Sequence, residues 1–120
     1  MEAMTLGTAI DRVDRLCCNA FSREEKLLWL ARLERLVKTN ILDTHEGGLP
    51  FREPGPDTYL TAPEPFEGMY MSWLEAQIHL HSGEVERYNA AIRLFNSEYE
   101  AFECWYNRTY PPKSAGRFRG

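Results

Sequence analysis

Apolar and polar positions alternate most regularly toward the C-terminal end of the chain. Val85, Tyr88, Ile92, Phe95, Tyr99, Phe102 and Tyr106 follow one another at gaps of 3 and 4 in strict alternation, and five of the seven are aromatic. Such a heptad stripe runs along one side of a helix and needs cover from another element. Ala91, Leu94, Ala101 and Trp105 form a second stripe that widens the apolar face. Glu84 opens the segment with a carboxylate at the positive helix end, Arg108 suits the negative end, and Pro111-Pro112 stops it. A helix from Glu84 to Arg108 would be about 37 Å long at about 1.5 Å per residue. One side is expected to pack on Leu30, Val37, Trp73 and Leu80, leaving Asn89, Arg93, Asn96 and Glu100 outward.

Three further helices are predicted upstream. Leu6, Ile10, Val13 and Cys17 repeat at gaps of 4, 3 and 4 behind a candidate N-cap, Thr5, which predicts a helix over 4–18. Asp11, Arg12, Asp14 and Arg15 fall on its polar side. Ser22-Arg23-Glu24-Glu25 is a capping box, with Phe21 placed for a hydrophobic staple onto Lys26 or Leu27. Leu27, Leu30, Leu33, Val37 and Ile41 then form a buried stripe flanked by Trp29 and Leu36, with Arg32, Arg35 and Thr39 opposite. That helix is predicted from Arg23 to about Leu42. The third starts near Pro65, a residue suited to a first turn. Phe66, Met69, Tyr70, Trp73, Gln77 and Leu80 make one face, and Met71, Leu74 and Ile78 a second. A helix apolar nearly all round is either central to a core or shared with another subunit. Gly68 within it costs about 1 kcal/mol against alanine and marks close approach of a neighbouring backbone. Ser82-Gly83 is the turn into the last helix.

Between the second and third helices the pattern breaks. His45-Glu46-Gly47-Gly48 stops a helix, and Pro50, Pro54, Pro56 and Pro63 forbid another across the stretch. Leu49, Phe51, Tyr59 and Leu60 are expected to pack, with short extended pieces and a loose hairpin around Glu53 to Asp57. The reading is an all-α, small four-helix bundle-like domain over residues 1–112. It has a long central C-terminal helix, a long Pro/Gly-rich loop at 45–63, and a flexible basic tail at 113–120.

Composition narrows this little. The chain has 120 residues, 43% apolar and 27% charged, with a net charge of −4, which is no signature of a nucleic-acid binder. Three cysteines, two of them adjacent, argue for reduced thiols in a cytoplasmic protein rather than a disulfide framework. The acidic N-terminus reads as no secretory leader, and no window is apolar enough to span a membrane. His79 and His81 lie on different faces of a helix and cannot chelate one metal from it. His45 reads as a helix C-terminal cap with a favourable imidazolium rather than as part of a catalytic loop. Gly47-Gly48 lacks the Lys-Ser/Thr of a phosphate loop. Paired carboxylates such as Glu84 with Glu86 and Glu98 with Glu100 face apart as a solvated surface. No nucleophile–base or metal pair emerges, so the chain is read as not an enzyme, with no cofactor. Asn89, Asn96 and Asn107 lie beside aromatics on the long helix and are expected to have hydrogen-bond partners.

Several stretches resemble a family of small proteins encoded in prophages of Gram-positive bacteria. They are Ser82-Gly83-Glu84, Arg87-Tyr88-Asn89, Leu94-Phe95-Asn96, Tyr99 and Trp105-Tyr106-Asn107-Arg108-Thr109. Upstream, Ile10-Asp11-Arg12-Val13, Thr44-His45-Glu46-Gly47-Gly48 and Ala62-Pro63-Glu64-Pro65-Phe66 extend the likeness. The resemblance implies a head-tail connector, or adaptor, of a tailed phage. Such a subunit would dock on the portal protein and form a ring homo-oligomer, and could be a monomer alone. It would extend the channel through which DNA passes without sequence-specific binding, and offer a platform to the next head-completion or tail protein. It implies a place in the virion, and in the host cytoplasm during assembly. Expected contact residues are Phe51, Arg52 and Tyr59 in the loop, Arg93 and Asn96 on the long helix, and Lys113, Arg117 and Arg119 in the tail. The rival reading is a small phage-encoded helical regulator or inhibitor that binds a host protein.

Overall fold

The computed structural model describes residues 3–113. Four α-helices follow one another: α1 (Leu6–Leu16), α2 (Arg23–Asn40), α3 (Gly68–His81) and α4 (Val85–Thr109), with a single 3-10 turn at Leu42–Thr44 closing α2. The start signals act as expected. Thr5 caps α1 by accepting from the Thr8 amide at 3.1 Å. Ser22 and Glu25 form the reciprocal capping box, at 3.0 Å and 3.1 Å. The expected staple differs: Phe21 turns its ring edge onto Trp29 and His81, which stack on each other at 4.8 Å. An aromatic partner offers Phe21 more surface than Leu27 or the stem of Lys26. The third helix begins at Gly68 rather than Pro65, because Pro63 to Glu67 make tight turns, with backbone bonds from Phe66 to Pro63 and from Tyr70 to Glu67.

α3 meets all three other helices, while among the helices α4 meets α3 alone. The apolar circumference of α3 therefore has its cause within one chain: Met69, Tyr70, Leu74 and Ile78 are buried between α1, α2 and α4. Trp73 donates its indole N–H to the Trp29 carbonyl of α2 at 2.8 Å. Gly68 does mark a close approach, but by a side chain rather than a backbone. A Cβ there would lie 2.6 Å from a carboxylate oxygen of Glu98, whose other oxygen accepts from Ser72 at 2.6 Å. Gly83, at a φ of +75°, makes the tight turn between α3 and α4. Glu84 does not cap the α4 amides; its carboxylate takes His79 instead, at 2.8 Å.

The stripe on α4 is covered unequally. Phe102 and Tyr106 are buried and Phe95 nearly so, whereas Val85 is 67% exposed. α4 is longer than α3 and runs past its start, so the C-terminal half finds its cover in the loop. Phe66 meets Phe102 and Trp105 at ring distances of 5.4 and 5.3 Å. At the hairpin end no element among the described residues covers Val85. The second stripe does not widen the buried face: Leu94 is 54% exposed, Ala101 is exposed, and only Trp105 packs. Of the expected cover for α4, Leu30 and Val37 belong to α2, which α4 does not meet, and Leu80 is half exposed.

Two charged residues, Lys26 and Glu34, are part of the core. Lys26 is buried, and its ammonium donates to Asp14 at 2.7 Å and to the Asn19 side-chain Oδ1 at 3.1 Å, tying the end of α1 to the start of α2. Burial alone would raise the Asp14 carboxyl, but hydrogen bonds from Lys26 and Asn19 outweigh it and hold the group below its ordinary value. Asp14→Ala is expected to lower the unfolding free energy by about 2–3 kcal/mol at neutral pH, because the lysine loses its counter-charge while staying buried. Urea denaturation measures this, and a loss under about 0.5 kcal/mol, the level of an ordinary surface change, would refute it.

Candidate functional site

The stretch between α2 and α3 is the most elaborately held part of the molecule. Its start is pinned to the residues that follow α4. Glu46 donates its amide to the Pro111 carbonyl at 2.9 Å, and Lys113 returns one to Thr44 at 2.9 Å. His45 is buried there. Its Nδ1 lies 2.8 Å from the Ile41 carbonyl, and its ring stands edge-on to Tyr106. It does cap the end of α2, as expected from its position. Tyr106 accepts the Leu49 amide at 3.0 Å, and the ring lies so close to Gly48 that no Cβ would fit.

The middle of the loop pairs with the chain start rather than with itself. Leu6 donates to the Thr58 carbonyl at 2.9 Å, and Leu60 to Met4 at 3.0 Å, around a bridge between Thr5 and Tyr59. The expected hairpin at Glu53 to Asp57 is instead a single turn, closed by the Thr58 amide on the Gly55 carbonyl at 3.1 Å. The extended pieces find α1's leading residues as partners, so they need no facing strand of their own.

The end of the loop is held by Glu34, fully buried on α2. One carboxylate oxygen accepts the Thr61 amide at 3.0 Å and the Thr61 hydroxyl at 3.1 Å. The other accepts the Tyr70 hydroxyl at 2.8 Å, and that hydroxyl in turn accepts the Ala62 amide at 3.0 Å. Burial pushes the Glu34 carboxyl above its ordinary value; the bonds from Tyr70 and Thr61 and the charge of Arg52 offset part of the rise. Burial, then the Glu34 charge, pushes the Tyr70 hydroxyl well up.

Outside this network lies a concavity of about 520 Å³, with Met4, Leu49, Leu60 and Pro63 as its apolar lining and Arg52, Tyr59 and Glu64 as polar elements. Two of the expected contact residues, Arg52 and Tyr59, meet here, and Tyr59 is 49% exposed. Phe51 is half-buried, packed against the core with the Lys38 ammonium 5.7 Å from its ring centre. Arg93 and Asn96 are exposed on α4, away from this concavity's lining. Lys113 is exposed, with its amide fixed to Thr44. Arg117, Arg119 and the predicted tail from 114 onward lie outside the described residues.

A smaller, polar hollow of about 330 Å³ opens where α1 meets the α3–α4 turn, lined by Cys17, Cys18, Glu75, His79, Glu84 and Arg87. Burial, with Glu75 and Glu84 nearby, pushes the Cys17 thiol up, which disfavours the nucleophilic thiolate. Burial likewise raises the Glu75 carboxyl. Among the described residues no group of three or more His, Cys, Asp and Glu is placed to hold a metal ion. The Tyr99 hydroxyl is buried without a hydrogen-bond partner there; Asn40 lies beside it without meeting bonding geometry.

Glu34 and Lys26 had a signal in the sequence that residue type alone hides. Lys26, Leu30, Leu33 and Val37 share a helical stripe, as do Leu30, Glu34, Val37 and Ile41. A charge at a stripe position needs a partner inside the fold. No helix is long and apolar enough to cross a membrane among the described residues. Comparison with protein-family models, curated proteins and solved structures finds no match for the chain.

Proposed function

We propose that this protein is a structural assembly subunit, a head-tail connector that docks on a phage portal ring and extends its DNA channel. The observation that supports this reading best is the outward side of α4. A helix of 25 residues, held by α3 and, toward its C-terminal half, by the loop, leaves Arg93, Leu94, Asn96 and Glu100 exposed among the described residues. A rigid, mixed polar and apolar edge of this kind suits lateral contact between subunits. The anchored loop would present Arg52 and Tyr59 to the portal. The net charge of −4 suits a channel wall that lets DNA pass without gripping its phosphates. The subunit would act in the virion and, before that, in the host cytoplasm.

The test mixes the purified protein with the portal ring encoded beside its gene. Co-sedimentation and added density under the ring in negative-stain images are expected. A protein that stays free at saturating portal, or whose gene has no portal or capsid neighbour, would sink the proposal. Capture of one host protein in place of the portal would favour the regulator reading.

A further inference from the structure

The outer face of α2 also leaves apolar surface open. Leu28 is 67% and Leu36 is 38% exposed. With Ala31, Arg32, Arg35 and Thr39 they line a shallow trough of about 440 Å³. Arg32 has no ion-pair partner among the described residues, and Arg35 has only a loose one, Glu53 at 3.5 Å with both side chains largely in water. Such a pair contributes little and is easily exchanged. The trough is thus apolar at its floor and basic along its middle, and Glu24 and Glu25 are exposed on α2 one turn before Leu28, outside its lining.

The outward side of α4 carries the opposite order of charge. Arg93 and Glu100 are two helical turns apart beside exposed Leu94 and Ala101, as Glu25 and Arg32 are two turns apart beside Leu28. Laid side by side in parallel, Arg93 falls on Glu25 and Glu100 on Arg32, while the leucines share the seam. The two faces cannot meet within one molecule, because α3 stands between α2 and α4.

We infer that the α2 trough receives the outward side of α4 from a second copy of this chain. The contact is heterologous: each copy offers a different face to each neighbour. Repeated with rotation, such contacts close into a ring or continue as a filament. The inference rests on the reading of the chain as an assembling subunit and says which surfaces do the assembling.

A photo-reactive benzoylphenylalanine at position 94 tests it, in the full-length protein alone at high concentration, with circular dichroism as the control for folding. Illumination is expected to give a linked dimer whose second site maps within Leu28–Thr39. The double variant Arg32→Glu/Arg35→Glu should lower the yield about tenfold or more, through like-charge contact with Glu100, and Glu100→Arg should restore it in that background. A linked dimer mapping to α4 of the second copy would overturn the inference while leaving a self-assembling subunit in place. No linked dimer at any concentration would overturn the inference by itself. The portal co-sedimentation result then decides separately whether the connector reading survives.

Discussion

Replacing Glu34 by alanine is expected to lower the unfolding free energy by about 3–4 kcal/mol, enough to threaten a small domain. Two terms oppose each other. Removing a fully buried carboxylate relieves its desolvation. Against that, the Thr61 amide and the Tyr70 hydroxyl both lose their acceptor. Each orphaned buried donor costs about 1–3 kcal/mol, and the missing side chain leaves a void as well. The orphaned groups win because the carboxylate is not merely tolerated. It is the only acceptor holding the end of the loop to α2 among the bonds described there.

Glu34→Gln carries a pH signature with a fixed sign. The folded state holds the Glu34 proton more tightly than the unfolded chain does, since burial raises its pKa. The stability linked to this group is therefore fully present below the ordinary carboxyl range, and is lost as pH rises through the raised folded value. Glutamine has no such proton. The stability of the wild type minus that of the variant should shrink as pH rises across that window, measured by urea midpoints at successive pH values. A difference that grows with pH would mean that the fold favours the ionised form.

Phe102→Ala is expected to cost about 3–5 kcal/mol, the range for a fully buried phenylalanine. Its ring lies 5.4 Å from Phe66, 5.8 Å from Tyr106 and 6.0 Å from Trp105. Its loss would open the contact between the C-terminal half of α4 and the loop. Val85→Ala, in the same heptad stripe, should change stability by under about 0.5 kcal/mol, because that side chain is largely in water already. Thermal or urea unfolding of the two variants compares them directly, and amide exchange should show faster opening at 99–109 in the Phe102 variant only. Equal losses in the two would mean that α4 is covered from end to end.

The contrast between Phe102 and Val85 shows where sequence reasoning reaches its end. Periodicity places both on one side of one helix, and it is right to do so. It cannot say how far the covering element extends, because cover depends on the relative lengths and crossing of α3 and α4. The candidate surface was legible in part. Arg52 and Tyr59 stand out as loop residues and do share one concavity, and Arg93 and Asn96 do face outward. The α2 trough was not legible, since Leu28 and Leu36 look like members of an apolar helix until the fold shows that no element among the described residues covers that side.

What the sequence determined by itself is local: four helices, their caps at Thr5 and Ser22, the turn at Gly83, and a proline-broken connection that cannot be helical. These depend on neighbours within a turn or two, where backbone geometry and side-chain bonding decide the outcome. The tertiary structure alone decided the rest. It made α3 the helix that all others meet, fastened the loop to Met4–Gly7 on one side and to Pro111–Lys113 on the other, and placed Lys26 and Glu34 where only distant partners could satisfy them. Those choices depend on groups tens of residues apart, such as Glu34 with Thr61 and Tyr70, which no pattern along the chain connects.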